Sequence, residues 1–183
     1  EKAGMNRLIT LEAHGLTYHF PSTGRGITNV SFQLQKGSFT VITGRIGSGK
    51  TTLLRVLLGL LPKDAGTIYW NGQPVADPGS FFVPPISAYT PQVPRLFSES
   101  LRDNILMGLP DSPGHIEKAI WSAVLESDVA AMKNGLDTLV GPRGVRLSGG
   151  QVQRTAAARM FVREPELLVF DDLSSALDVD TEQ

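Results

Sequence analysis

Eight consecutive residues of the chain read Gly44-Arg45-Ile46-Gly47-Ser48-Gly49-Lys50-Thr51, which fits the pattern G-x-x-x-x-G-K-[ST]. An apolar run rich in β-branched residues, 39–42, comes before them, and a run of helical spacing, 53–58, comes after them. A strand, a glycine-rich loop and a helix in this order form a phosphate-binding loop. The sequence therefore predicts that the chain binds a nucleotide.

The residue types of this loop suit phosphate chemistry. Glycines let consecutive backbone N–H groups turn towards a β-phosphate, Lys50 adds a positive charge for the β- and γ-phosphates, and the helix directs its positive dipole end at them. Thr51 is left as a ligand for Mg²⁺. The predicted phosphate contacts are Gly44, Gly47, Ser48, Gly49, Lys50, Thr51 and Thr52.

Composition limits the class of protein. The 183 residues suffice for one compact domain, and 17 basic against 18 acidic residues leave a formal net charge of -1. Such a balance gives no general attraction to nucleic acid or to anionic lipid. No apolar segment approaches the roughly 20 residues that span a bilayer. We expect a soluble, cytosolic chain, and a start at Glu1 suggests a piece of a longer polypeptide.

Hydrophobic periodicity predicts the elements around the loop. Residues 8–20 and 30–34 alternate apolar and polar side chains, which favours an antiparallel β-layer before the loop. Residues 67–70 predict a further strand, and Asn71-Gly72 is the preferred dipeptide of a hairpin turn. Prolines in residues 78–94 exclude a long helix and favour an ordered loop.

The second half of the chain predicts helices and one buried strand. Helical spacing in residues 99–135 includes Ile116, Ala119, Ile120, Ala123 and Val124. A further helix should start near Ser148 and end before Pro165, and the apolar run 167–170 should be a strand buried on both faces. Asp171 and Asp172 follow that strand, where a carboxylate can hold Mg²⁺ beside the phosphate loop.

A second motif, Leu147-Ser148-Gly149-Gly150-Gln151, lies upstream of that strand. With the phosphate loop before it and the run ending in Asp171 after it, the chain resembles the ABC ATPases, the nucleotide-binding domains of ATP-binding-cassette proteins. The resemblance implies an α/β fold of the P-loop NTPase class: a parallel core sheet, an antiparallel β-layer and an inserted α-helical subdomain at about 95–163, within one domain over 1–183. It also implies that the C-terminal part of the fold is missing.

The resemblance implies roles for individual residues. Tyr18 would stack on adenine, Gln92 would touch Mg²⁺ or the attacking water, and Asp171 would ligate Mg²⁺ together with Thr51. Ser148 and Gly150 would act on the ATP of a partner, because in this family two subunits pack head to tail. Ser148 opening a helix beside flexible glycines suits such an anion contact. Residues 96–105 resemble the exporter-type members.

The chain departs from the family pattern in three places. Asp172 stands where a glutamate usually polarises the attacking water, and its side chain is one methylene shorter, so we expect slow hydrolysis. The sequence given ends at Gln183, before the strand and histidine with which the family continues, so we expect a truncated portion. Residues 140–144 resemble the exporter segment that senses the transmembrane domain, but Pro142 stands where a glutamate is usual.

The sequence therefore predicts an ATPase that binds ATP and Mg²⁺, with Asp172 and Gln92 as catalytic residues. It would pair with a second nucleotide-binding domain, identical or different, and serve the transmembrane domain of an exporter from the cytoplasmic side of a membrane. One alternative is an ATP-gated dimerising module with negligible hydrolysis. The other is a soluble, non-transport ABC protein, and the charge balance disfavours nucleic acid as its partner.

Overall fold

Six strands and six α-helices form within residues 7–171, the part of the chain that the computed structural model describes. They divide between two units, Glu1–Ser87 and Ala88–Gln183. Asp172 lies outside the described residues. None of the described helices is long and apolar enough to cross a membrane.

The first unit contains the predicted antiparallel β-layer. Its sheet has the order β2-β1-β3-β4 and consists of β1 (Thr10–His19), β2 (Gly26–Gln35), β3 (Ala65–Trp70) and β4 (Gln73–Pro74). Asn71 and Gly72, with φ of 54° and 76°, form the β3–β4 turn. Both positions need positive φ in this type of turn, so the hairpin prediction is confirmed.

Strand β1 contains one residue more than either neighbour between Ala13 and Thr17. Gly15 takes up this bulge with a φ of +64°, and its N–H donates to Ser31 Oγ at 2.8 Å. In a regular strand Leu16 and Tyr18 would face the side opposite to Ala13, because they lie an odd number of positions from it. The extra residue reverses this, so all three side chains are buried. Helix α1 (Lys50–Leu57) packs against β1 and β2 and buries three of its apolar side chains, Leu53, Val56 and Leu57.

The strand predicted at residues 39–42 is absent, so this prediction was wrong. Phe39 is 83% exposed and Val41 64% exposed, and no described segment pairs with this stretch. β-propensity reflects packing against neighbouring strands more than a backbone preference. An apolar run without a neighbour therefore lacks the contacts and ladder hydrogen bonds that would make it a strand.

The proline-rich stretch contains short elements where the sequence predicted an ordered loop. A long helix is absent, as expected, but a single turn, α2 (Pro78–Phe81), and a strand, β5 (Ser87–Thr90), both form. Strand β5 pairs with β6 (Leu167–Phe170), the predicted apolar strand. Leu168 in β6 is 38% exposed, so among the described residues this strand is not buried on both faces.

The second unit is mainly helical, as predicted for residues 99–135 and the stretch from Ser148. Its helices are α3 (Leu101–Leu106), α4 (His115–Ser122), α5 (Glu126–Ala131) and α6 (Gly149–Phe161), with a 3-10 turn at Gly135–Asp137. One apolar core joins them. Four of the five residues with predicted helical spacing lie in this core, and Val124, which is 72% exposed, does not.

Asn104 is a polar centre inside this core. It is fully buried, its Oδ1 accepts from the N–H of Phe97 at 2.8 Å, and its Nδ2 donates to the carbonyls of Phe97 and Ser100 at 3.0 Å. Arg159 Nε donates to the carbonyl of Asn104 at 2.8 Å. These bonds fix the segment before α3 against α6, because buried polar groups are costly when left unpaired.

Asn104→Ala should lower the free energy of unfolding by about 3 kcal/mol, since it leaves the Phe97 amide and carbonyl without their partner. Urea unfolding of the protein measures this change. Asn134→Ala is the control, because Asn134 is exposed and its replacement should stay within about 0.5 kcal/mol. Equal effects of the two substitutions would show that Asn104 does not stabilise the unit.

Candidate functional site

The phosphate-loop sequence forms an exposed turn that leads directly into α1. The N–H of Ser48 donates to the carbonyl of Arg45 at 3.1 Å, and Gly49 caps α1 with a φ of 94°. A Cβ at Gly49 would lie 2.9 Å from Ile27 Cγ2. Position 49 therefore needs glycine both for its left-handed conformation and for its close approach to β2.

Lys50 begins α1 and turns its ammonium back over the loop. Its Nζ donates to the carbonyl of Gly44 at 2.9 Å and to that of Arg45 at 3.1 Å. Thr51 and Thr52 follow in the first turn and are half-buried. A positive charge thus lies on the loop where α1 begins, and the helix dipole adds to it.

The two aromatic residues at the end of β1 differ in exposure. Tyr18 is 7% exposed, whereas Phe20 is half-buried, and their rings meet edge to face with centroids 5.0 Å apart. The bulge in β1 turns Tyr18 towards the core. The predicted adenine stacking does not fit Tyr18, because a buried ring offers little free π-face.

Phe20 lies on the same side of the unit as the loop. Tyr18 and His19, the residues before it, pair with Ile27 and Gly26 of β2. A Cβ at Gly49 would meet those same two residues of β2, Ile27 Cγ2 at 2.9 Å and the carbonyl of Gly26 at 3.2 Å. Phe20, which no motif in the sequence indicates, is therefore a half-buried aromatic residue next to the strand that Gly49 approaches.

Asp171 follows β6, as predicted, and is 6% exposed. Its backbone N–H donates to the carbonyl of Thr90 at 2.9 Å, and Tyr89 Oη donates to its Oδ2 at 3.2 Å. Gln92, two residues beyond β5, is exposed, and its carbonyl accepts from Gln153 Nε2 of α6 at 2.9 Å. Strands β5 and β6 thus place Gln92 and Asp171 in the same unit.

Asp171 and Gln92 offer two side chains that could contribute to a magnesium site. A buried carboxylate and a side-chain amide are hard oxygen donors of the type that Mg²⁺ prefers. Within residues 7–171 no group of three or more histidine, cysteine, aspartate or glutamate side chains could hold a metal ion. Mg²⁺ commonly binds through one or two carboxylates, water and substrate phosphates. Asp171 suits that pattern.

The second motif, residues 147–151, which we call the signature, forms the predicted helix start. Ser148 Oγ accepts from the N–H of Gln151 at 3.2 Å, and Gln151 Oε1 accepts from the N–H of Ser148 at 2.9 Å. This reciprocal capping box leaves the Ser148 hydroxyl proton available to an anion. Gly149 and Gly150 occupy the first helical positions of α6, and Ser148 is exposed.

The structure brings together only part of the predicted site. Gly44 to Thr52, together with Tyr18, lie in the first unit, and Gln92, Ser148, Gly150 and Asp171 lie in the second. Three side chains with contacts to site residues were not predicted: Tyr89, Gln153 and Asp128, the last of which binds Gln151. A period or a motif carries no signal for such pairs, because their members are far apart in sequence.

The sequence and the fold both have relatives among known proteins. The sequence model of the ABC transporter family matches residues 27–175. A probable multidrug resistance ABC transporter ATP-binding/permease protein, YheI of Bacillus subtilis, is 38% identical over 169 residues, covering 91% of this chain and 29% of that protein. The β-(1→2)glucan export ATP-binding/permease protein NdvA of Brucella abortus is 36% identical, with coverages of 92% and 28%.

A solved structure gives the same result for the fold. A bacterial Atm1-family ABC exporter with ATP bound superimposes with a TM-score of 0.82 at 30% identity, covering 96% of this chain and 30% of that one. The chain thus spans about 30% of the length of the proteins it matches. The expected fold, an α/β P-loop domain of the ABC type, is confirmed, and the chain belongs to the ABC transporter family.

Proposed function

We propose that this domain binds Mg-ATP, pairs head to tail with a second such domain, and hydrolyses ATP slowly to drive a membrane exporter. One observation carries the proposal: the chain has two helix starts suited to phosphate. At the start of α1 the phosphate contacts would come from Lys50 and the loop amides, and at the start of α6 they would come from Ser148. One nucleotide needs one phosphate loop, so the second helix start is available to the ATP of a partner.

The cis contacts come from the first unit. Lys50 Nζ already lies against two loop carbonyls, so it needs only a change of acceptor to reach the phosphates. Charge-assisted bonds to phosphate are stronger than bonds to neutral carbonyls. Backbone N–H donors would come from the loop residues Gly44, Gly47, Ser48 and Gly49. Thr51 and Thr52, in the first turn of α1, would add further contacts to the phosphates.

Phe20 rather than Tyr18 would stack on adenine. Its ring is the more exposed of the two, and Tyr18 supports it edge to face at 5.0 Å. Stacking uses the face of a ring, and in an edge-to-face pair Tyr18 can cover at most one face of the Phe20 ring. The base would then lie at the end of β1, near the loop that binds the phosphates.

Magnesium and the attacking water would be held from the second unit. Asp171 would ligate Mg²⁺ together with water and phosphate oxygens, and Gln92 would orient the water or touch the metal. The metal would offset charge on the phosphates. Asp172, outside the described residues, remains the predicted general base, and its short side chain is the reason for expecting slow turnover.

The transport role rests on the proteins that resemble this chain. YheI and NdvA are described as ATP-binding/permease proteins, so each combines the two functions in one protein. By analogy this domain would act on a transmembrane domain, in the same polypeptide or in another, from the cytoplasmic side of a membrane. The near-neutral charge leaves protein contact as the route to that membrane.

An ATP-gated module with negligible hydrolysis is the second candidate. The presence of Asp172 in place of glutamate favours it, because a base that is displaced by about 1 Å can lose about a hundredfold in rate. Both candidates share binding and dimerisation. Turnover distinguishes them.

Ser148→Arg should abolish the trapping of ATP between two domains, because a bulky side chain would occupy the place of the partner's γ-phosphate. The experiment uses the native full-length protein with a non-hydrolysable ATP analogue and measures the labelled nucleotide retained after rapid desalting. Equilibrium binding of the analogue should change less than about threefold, since Lys50 and the loop carry the cis contacts.

Lys50→Ala is the matched variant, and it should lose equilibrium binding as well as trapping. If Ser148→Arg lost equilibrium binding to the same extent, the signature would act within its own chain. The head-to-tail arrangement would then be wrong.

Phe20→Ala should weaken ATP binding about tenfold, which corresponds to the roughly 1–1.5 kcal/mol of an aromatic stacking pair. Binding of inorganic triphosphate, which has no base, should stay unchanged. Tyr18→Phe, which keeps the buried ring, is the control and should leave both affinities near their original values. Unchanged ATP affinity in Phe20→Ala would remove the stacking role from Phe20.

Asp172→Glu should raise the steady-state rate of ATP hydrolysis at least several-fold, because the longer side chain restores the reach to the attacking water. Asp172→Asn should lower the rate, since an amide cannot accept the proton. Phosphate release is measured for the unaltered full-length protein and for each of the two variants. Equal rates would remove Asp172 from the mechanism and favour the gated module.

A further inference from the structure

Asp128 of α5 binds the first turns of α6 through both of its carboxylate oxygens. Its Oδ2 accepts from Arg154 Nε at 2.8 Å, and its Oδ1 accepts from Arg154 Nη2 at 3.2 Å and from Gln151 Nε2 at 3.1 Å. The side chain of Asp128 is 13% exposed and that of Arg154 29% exposed. A bidentate pair of this kind is geometrically specific and shielded from much of the solvent.

The contact with Gln151 reaches the signature serine. Because the Gln151 amide nitrogen donates to Asp128, its oxygen is turned towards the N–H of Ser148, which donates to it at 2.9 Å. The opposite orientation of the amide would set its NH₂ group against that N–H. Asp128 therefore selects the amide orientation that the capping box requires.

Arg154 explains why a carboxylate is needed at this point. A Cβ on Gly150 would lie 3.2 Å from Arg154 Nη1, so the guanidinium lies beside the first turn of α6. A positive charge near a helix N-terminus is unfavourable, and the first turn of α6 contains no acidic residue. Asp128 supplies the missing negative charge from another helix.

We propose that Asp128 is a positioning residue for the signature: through Gln151 and Arg154 it fixes the start of α6, so that Ser148 can meet the partner's γ-phosphate. This inference rests on the proposed function, because it assigns Ser148 to the partner's nucleotide. Asp128 itself touches no nucleotide. Its pairing with Arg154 also keeps an uncompensated negative charge away from the incoming phosphate.

The test compares Asp128→Asn with the native full-length protein, again with the non-hydrolysable ATP analogue. The substitution keeps the shape of the side chain and removes the charge and one acceptor. Analogue trapping should fall about tenfold, as expected for a small displacement of a positioned group, while equilibrium binding stays unchanged. Hydrogen–deuterium exchange of residues 148–152 should become faster even without nucleotide.

Asp137→Asn is the matched control. Asp137 also accepts from an arginine of the same unit, Arg102 Nε at 3.2 Å, but that pair lies outside α6. This variant should leave trapping and exchange at residues 148–152 unchanged. Asp128→Glu retains a carboxylate for Arg154 and should restore part of the trapping, which a general loss of folding would not allow.

The outcomes separate the two proposals. If the unaltered protein traps no analogue, the proposed function fails and Asp128 loses its role in it. If the unaltered protein traps analogue and Asp128→Asn traps as much, only the present inference is overturned. Unchanged exchange at residues 148–152 in Asp128→Asn would also overturn it, because Asp128 would then not order the start of α6.

Discussion

Helix α6 is the element on which the second unit depends. From its first turns Gln151 and Arg154 bind Asp128 of α5, from its middle Gln153 binds the backbone of Gln92, and near its end Arg159 binds Asn104. The apolar side of the helix packs against α3 and α4. One rigid element thus joins the signature to the segment after β5, and a displacement of α6 would be felt at both.

The arginine near the end of α6 is buried and still has a hydrogen-bond acceptor. Burial lowers the pKa of Arg159, and the nearby positive charge of Arg163 acts in the same sense. The guanidinium nevertheless has the carbonyl of Asn104 as an acceptor at 2.8 Å. Arginine makes two of the three contacts of α6, those with Asp128 and Asn104, because one planar guanidinium can bind several acceptors in fixed geometry.

Local patterns predicted most of the fold, and long-range pairing explains the rest. The hairpin at Asn71 and the helix start at Ser148 depend on a few adjacent residues, so the sequence alone sufficed. Residues 39–42 have the composition of a strand, but a strand also needs a neighbour, which composition cannot supply. The burial of Tyr18 depends on an extra residue in β1, which is visible only once the register is known.

The same distinction applies to the candidate site. Motifs identified Lys50, Ser148 and Asp171, because each occupies a fixed place in a short pattern. The partners that hold such residues are not in the patterns: Tyr89 is 82 positions from Asp171, and Asp128 is 23 positions from Gln151. Supporting residues of this kind can be recognised only from distances in three dimensions.

The bulge at Gly15 has a consequence for the direction of β1. Deleting Gly15 would remove the bulge, and because each later residue would then move up by one position, Leu16 and Tyr18 would still face the core. What would change is the path of the strand, because a bulge bends its strand and increases the local twist. Gly15, five positions before Phe20, thus affects the direction in which β1 leads to the ring of Phe20. A change at position 15 can therefore redirect this end of the sheet although the residues at that end stay the same.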